Sequence, residues 1–411
     1  MADRIAQDWL KKPSLQALLA LLNEGDENVG HGIQARIAGG AVRNALLDQP
    51  ISDVDIATSL VPRDVILRLQ RGGHKAVPTG IEHGTITAVV DGDAYEVTTL
   101  RQDVETDGRH ARVLYGTDWT ADARRRDLTI NALYLNSDGT VFDPLGGMQD
   151  VLSQNVRFID DAETRIREDY LRILRFFRFF AWYGSFRPDA EGLKACARLK
   201  DGLESLSAER VWHELVKLLA APDPGRAILW MRQTGVLTKV LPESEKWGID
   251  ALQGLIIAEG KHGWSPDPLL RLMSIIPPMP DRISELVSRL KLPNSVAKRL
   301  NAWCNSQLPD ARLKKQDFYR WLYWQKEIGV SDRLKLEIAR DGQDSKKHQR
   351  QLRWLARWDR PKFPVRGQDL IDKGRAPGPD ISTELTELEE HWVESDFQLS
   401  REDLLSRIEK V

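Results

Sequence analysis

The chain has 411 residues, with 59 Lys plus Arg against 61 Asp plus Glu and a formal charge of −2, so any case for a polyanionic partner must rest on local charge. Its length suits roughly two to four modules with ordinary buried cores. Two distant cysteines, Cys196 and Cys304, without CxxC spacing, argue against a disulfide scaffold or structural zinc, and no stretch approaches the run of about 18 apolar residues that reads as a membrane span.

The N-terminal segment MADRIAQDWLKKPSLQALLALLNEG mixes acids and polar residues into its apolar run. It predicts an amphipathic helix and not a signal peptide, and with it a cytoplasmic location. From about residue 34 to 135, ARIAGG, DVDIATS, ITAVVDGDAYEVTTL and LTINALYLNSDGTVFD read as sheet elements, and AVRNALL as a short helix. DGD at 91–93 and SDG at 137–139 are hairpin-turn candidates. Beyond Asp143 the periodicity becomes helical, with Pro and Gly at 222–225, 264–268 and 277–280 dividing the helices. The fold class is α+β: a compact sheet-containing N-terminal part followed by helices.

GGAVRN at 39–44 stands between a strand and a helix. Gly39 and Gly40 permit close approach of backbone to phosphate, and Arg43 adds a charge-assisted donor; a plain tight turn would use the same residues. Asp53 and Asp55, one residue apart, share a face if they lie on a strand. Two acids so close call for compensation, and Mg2+, a hard oxygen-seeking ion, supplies it beside nucleotide phosphates. A surface turn with two acids is the alternative. Glu96 in EVTTLR is a possible third metal carboxylate or an ordinary edge-strand residue, and His83 in EHGTI a substrate contact or a structural histidine.

DARRRDLTINAL at 122–133 brings Arg124, Arg125 and Arg126 together, of which one or two can face a triphosphate or RNA phosphate. Asn131 suits a sugar hydroxyl or a cap, and DGRH at 107–110 a mobile polar loop that organises the incoming group. REDYLRILRFFRF at 167–179 has helical periodicity, and residues 165–178 hold five arginines and two acids. Asp169 and Arg172, three apart, are neighbours on one helical side; Glu168 and Arg172 are four apart and can pair. Asp169 can accept from cytosine N4 or adenine N6 while Arg172 donates to cytosine N3 or adenine N1, a polarity that guanine and uracil lack. An exposed salt bridge is the plainer reading of that spacing. Late in the chain, residues 346–366 carry eight Lys or Arg against one acid, interspersed with Trp354, Trp358 and Phe363. That is either a phosphate-contacting surface or a solvated face over an aromatic core.

Taken in order, GGAVRN, SDVDIA, EHGTI, EVTTLR, DGRH, DARRRDLTINAL, DPLGGMQD, REDYLRILR and SAERVWHELVKLL closely resemble the class II tRNA nucleotidyltransferase and bacterial poly(A) polymerase family over about residues 35–216. The resemblance implies a nucleotidyltransferase head with a mixed or antiparallel sheet at 1–142, then an all-α neck at 143–216, body at 217–300 and tail at 301–411. It implies catalytic metal binding by Asp53 and Asp55, beside which Glu96 stands as a candidate metal ligand from its strand position alone. It also implies nucleotide binding by Arg125 and Arg126, with Asp169 and Arg172 as the protein template for CTP and ATP; Gly39, Gly40, Arg43, Arg175 and Arg178 are expected to bind nucleotide with them. The family often has Asp where Asn44 stands and Phe where Leu128 stands. GQDLIDKGRAPGPDISTELTELEE at 367–390 looks like the tail of bacterial CCA-adding enzymes, apart from Ser382 where Gly is usual, and no HD dipeptide marks a phosphohydrolase domain. The expected function is metal-dependent addition of CCA to the tRNA 3′ end from CTP and ATP, with no membrane association and no stable protein partner that can be named. Poly(A) polymerase, a partial CC- or A-adding enzyme and a non-catalytic tRNA-binding protein are the alternatives.

Overall fold

The computed structural model describes residues 4–24, 33–107, 110–245 and 247–408, with the backbone alone for the described part of 102–114. The chain divides into two compact units, Met1–Pro242 and Glu243–Val411.

The first unit is built on a seven-stranded sheet of order β3-β4-β5-β2-β1-β8-β9. Its strands are β1 (Ala35–Ala38), β2 (Asp55–Thr58), β3 (Lys75–Gly80), β4 (Thr85–Val90), β5 (Asp93–Thr99), β8 (Tyr134–Leu135) and β9 (Val141–Phe142); β6 (Arg101–Asp107) and β7 (His110–Tyr115) form a separate hairpin. Only β2 and β5 pair in parallel, so the sheet is mixed. Period-2 patterning decides its faces. Ile86, Ala88 and Val90 of β4 and Tyr95, Val97 and Thr99 of β5 are buried, whereas Glu96 and Thr98 look the other way. Helices α1 (Pro13–Leu22) and α3 (Pro62–Arg71) contact β4, α1 through an apolar stripe that includes Leu15, Leu18, Leu19 and Leu22. The Asp91–Gly92 loop joins β4 to β5 with positive φ at both residues, 50° and 88°. That is the two-residue turn whose twist matches a hairpin, as DGD predicts.

Three local expectations change. LTINAL forms a 3-10 turn at Thr129–Asn131, leaving only short strands after it. DVDIATS is strand only from Asp55, so Asp53 sits in the irregular segment ahead of β2 and the two aspartates are not alternate residues of one strand. The predicted continuous helix over 167–179 is broken: α6 (Ala162–Glu168) ends, Asp169 is extended at φ −158° and ψ 107°, and α7 (Leu171–Tyr183) begins. Helices α2 (Gly40–Leu46) and α4 (Trp119–Arg124) are inserted between strands, α5 (Gly147–Leu152) follows the last strand, and α8 (Ala190–Leu199) and α9 (Ala208–Leu219) come after the break. The strong amphipathic pattern of α9 lays Val211, Leu215 and Leu218 inward, and α9 packs on α7.

The second unit is helical throughout its described residues. In the basic segment 346–366 all eight Lys and Arg side chains are exposed. Trp354 and Trp358 pack against the Phe318–Leu322–Val330–Leu334 core, and Phe363 against a neighbouring cluster around Trp392. Its aromatics are thus core residues beneath a charged face. Cys196 and Cys304 are both free and buried. No helix among the described residues is long and apolar enough to cross a membrane.

Candidate active site

A cleft of about 520 Å³ opens on the sheet face that carries Glu96 and Thr98. The parallel register sets Asp55 directly beside Glu96, so both carboxylates reach the same edge of this cleft. Asp53 lies on the adjoining side, where its carboxylate accepts a hydrogen bond from Ser52 Oγ at 2.9 Å. Asp55 is held above the ordinary carboxylate pKa, first because surrounding protein strips water from its carboxyl, then because Glu96 and Asp53 add like charge; Arg126 acts the other way. No group of three or more His, Cys, Asp or Glu side chains among the described residues is gathered tightly enough to enclose an ion. Oxygen donors that repel one another at the rim of a cleft nevertheless fit a hard divalent ion. Such an ion keeps several waters and takes one or two carboxylates plus substrate phosphate oxygens.

The opposite wall is the Gly39–Gly40 turn. Gly39 has φ +64°, and a Cβ there would stand 3.0 Å from Arg126 Nη1, so both backbone conformation and space call for glycine. Arg43, from α2, lines the cleft but is held by three partners: it donates to Asn131 Oδ1, to Asn44 Oδ1 at 3.0 Å and to Tyr183 Oη at 2.8 Å, with its guanidinium 3.9 Å above the Tyr183 ring. Burial lowers its pKa from the usual guanidinium value. Asn44 in turn donates to the Pro50 carbonyl at 2.9 Å. A carboxylate at that position would accept from Arg43 but could not make this second bond, which ties α2 to the loop ahead of Asp53.

Along the cleft wall, acids and arginines are matched. Buried Asp122 accepts from Arg125 at 2.7 Å, Arg126 at 3.3 Å and Tyr134 Oη at 2.7 Å. Burial would raise its pKa, but the two guanidiniums override it and hold the carboxyl below its ordinary value. Arg126 Nε is buried without an acceptor among the described residues. Arg124 is exposed. Asp127, also buried, accepts from Leu128 N at 2.9 Å, Asn131 Nδ2 at 3.1 Å and Arg175 Nε at 2.6 Å.

The break between α6 and α7 changes the base-reading pair. The Asp169 carboxylate does not pair with the Arg172 guanidinium, and only the backbone N–H of Arg172 donates to the Asp169 carbonyl, at 3.0 Å; the carboxylate Oδ2 accepts from Arg210 Nη2 on α9 at 2.6 Å, and Oδ1 from Leu171 N at 3.1 Å. Arg172 pairs with Glu168, as their spacing of four residues predicts, and donates to the Arg165 carbonyl at 2.8 Å. Asp169, Arg172 and Arg175 all line the cleft with Gly39, Gly40, Arg125 and Arg126, whereas Arg178 is not among its lining residues and instead donates to Glu214 at 2.6 Å. His83 is exposed and lines neither side of the carboxylates. Of DGRH, residues 108 and 109 lie outside the described residues, as do the side chains of Asp107 and His110. Sequence reasoning quoted SAERVWHELVKLL without assigning roles; Arg210 and Glu214, four apart on one face of α9, are the residues through which it reaches Asp169 and Arg178.

Two family models match the chain. One is described as the poly A polymerase head domain, over residues 35–157, and the other as a probable RNA- and SrmB-binding site of polymerase A, over 185–247. The mouse mitochondrial CCA tRNA nucleotidyltransferase 1 is 36% identical over 98% of this chain and 93% of its own. A CCA-adding enzyme of Geobacillus stearothermophilus is 32% identical over 74% of this chain and 76% of its own. The crystal structure of the Bacillus stearothermophilus CCA-adding enzyme in complex with CTP superposes with a TM-score of 0.72 at 27% identity, covering 96% of each chain. With carboxylates, glycine turn and arginine wall assembled in one cleft, and relatives aligned along nearly the whole length, the chain belongs to the CCA tRNA nucleotidyltransferase family.

Proposed function

We propose that this chain adds CCA to the tRNA 3′ end by sequential nucleotidyl transfer from CTP and ATP, releasing pyrophosphate. The observation that carries the reading is the juxtaposition of Asp55 and Glu96 across parallel strands, facing a cleft walled by Gly39–Gly40 and by Arg125 and Arg126. In each step the acceptor 3′ oxygen bonds to the α-phosphorus and the bond from that phosphorus to the bridging oxygen breaks. Pyrophosphate leaves with the electron pair, and the hydroxyl proton passes to solvent.

Asp53 and Asp55, with Glu96 beside them, would hold Mg2+, which when bound supplies charge stabilisation at the phosphates and eases loss of the hydroxyl proton. The positive φ of Gly39 leaves the turn without side chains, so its backbone can approach phosphate oxygens. Arg126, with its unsatisfied Nε, and Arg125 offset phosphate charge while Asp122 fixes their orientation. Asp169 accepts from the exocyclic amine of cytosine or adenine and Arg172 donates to the adjacent ring nitrogen. Arg210 and Leu171 N take part of the accepting capacity of Asp169, and Glu168 and the Arg165 carbonyl part of the donors of Arg172, which holds the pair in place. The exposed basic face over residues 346–366 supports a tRNA-holding role for the tail. Cytoplasmic location belongs to the same reading and rests on the sequence; the mouse relative is named as a mitochondrial enzyme.

The test is incorporation on radiolabelled tRNAs lacking CCA, ending in C, ending in CC or already complete, with CTP and ATP separately and together. CCA addition predicts extension of the first three to a completed CCA end and no growth beyond it. Extension into an A tract, arrest after CC, or addition of A alone would replace the reading by a poly(A), CC-adding or A-adding activity. Strong tRNA binding without incorporation would leave a binding protein.

A further inference from the structure

A second chamber, about 650 Å³, lies against the same carboxylates. Asp55 and Glu96 line both it and the nucleotide cleft, Asp53 lines it alone, and its far wall is made by Trp9, Lys12 and Tyr95. We propose that this chamber receives the 3′-terminal nucleotide of the acceptor RNA, with Trp9 as its stacking platform and Lys12 at its phosphate. The inference rests on the reading of the chain as a tRNA nucleotidyltransferase.

Three observations carry it. In-line transfer at phosphorus needs the attacking hydroxyl on the side of the reacting centre away from the leaving group. The glycine turn and the arginines line only the first cleft, so the chamber that shares Asp55 and Glu96 with it and lacks those phosphate-binding residues is the place for the hydroxyl. Next, the chamber carries the carboxylates Asp53, Asp55 and Glu96 together with the Lys12–Asp93 ion pair. The terminal ribose is the one part of an RNA that presents hydroxyls and no further phosphate, so it can face Asp53, Asp55 and Glu96, leaving the preceding phosphate to Lys12. That ammonium is half exposed and bonded to Asp93 at 2.7 Å, with further N–H donors remaining for an anion. Asp93 itself is fixed by Ser14 Oγ at 2.7 Å, which bonds Tyr95 Oη at 2.8 Å. Finally, Trp9 donates its indole N–H to Gln7 Oε1 at 2.7 Å, so its ring offers a face and no hydrogen-bond donor to a ligand. A face reads no sequence, which suits an acceptor whose last base differs between steps.

The experiment is steady-state kinetics with ATP and a tRNA ending in CC, comparing wild type with Trp9→Ala, Trp9→Phe and Lys12→Glu. Loss of one base stack raises the acceptor KM of Trp9→Ala about tenfold, with the KM for ATP unchanged, and Trp9→Phe restores most of it. Lys12→Glu, at a half-exposed side chain and with the folded state checked by its thermal transition, raises the acceptor KM with the same selectivity. Unchanged acceptor KM in both Trp9→Ala and Lys12→Glu overturns the proposal, as does a rise confined to the KM for ATP. Should Trp9→Ala not fold, Trp9→Phe and Lys12→Glu decide. Failure of the wild type to extend any tRNA would instead remove the functional reading on which the assignment stands.

Discussion

The carboxylates at the cleft rim and the acids of the α6–α9 region are treated in opposite ways. At the rim, Asp53, Asp55 and Glu96 crowd together with Arg126 as the one cation that bears on Asp55's titration. Elsewhere in the same unit Asp122, Asp127, Glu168, Asp169 and Glu214 each meet an arginine at short range. Acids paired in the resting protein organise geometry, because buried charge is tolerated only when matched and hydrogen-bonded. Acids left in mutual repulsion keep their binding capacity for a cation that arrives with substrate.

The largest effect should come from the unpaired set. Asp53→Ala or Asp55→Ala lowers kcat for incorporation by about a thousandfold or more, the scale of removing charge stabilisation at the reacting centre, while tRNA affinity in a filter-binding assay stays within about twofold. Loss of tRNA binding in step with activity would place these residues in RNA recognition and dissolve the contrast.

The matched set should answer in stability. Asp127→Ala strands Arg175 and Asn131 and costs about 3 kcal/mol in urea unfolding, the usual scale for breaking a buried pair. The pH dependence has a definite sign. Burial opposes ionisation of Asp127, but Arg175 and Asn131 prevail and keep its folded pKa below the unfolded value. Its stabilisation is therefore complete above the unfolded pKa of about 3.9 and is lost as pH falls through the lower folded value. Asp127→Asn should lack that part of the acid slope; an identical slope in the variant would show that Asp127 titrates as an ordinary carboxyl.

The smallest effects should sort reader from support. Asp169→Ala reduces discrimination for C and A over G and U by about tenfold, the worth of one charge-assisted hydrogen bond. Arg210→Ala, which touches only Asp169's other oxygen, reduces it by about two- to threefold. Equal losses in kcat/KM ratios for the two variants would make the pair a structural brace and remove Asp169 from base reading.

Much of this was legible in the chain itself. Period-2 patterning, the Asp91–Gly92 turn and the change to helical periodicity after Asp143 are local properties, dictated within a few residues by sterics and hydrophobic alternation. The same holds for Gly39, whose positive φ suits a residue without Cβ; the Glu168–Arg172 pair forms as expected, but across the break and not along one helix. Resemblance of ordered motifs then pointed to the chemistry. Tertiary structure alone decided what depends on separation along the chain. Asp55 meets Glu96 through parallel pairing of residues 41 positions apart, and Asp169 meets Arg210 across another 41. The break at Asp169 escapes a periodicity that continues through it, because an extended residue between two helices leaves the apolar spacing of each intact. Arg178 was expected among the nucleotide-binding residues, yet its place on α7 carries it to Glu214. Residue identity determined which chemistry this chain can carry; the packing of α9 against α7 and the pairing of β2 with β5 decided which charges are spent on the fold and which remain for substrate.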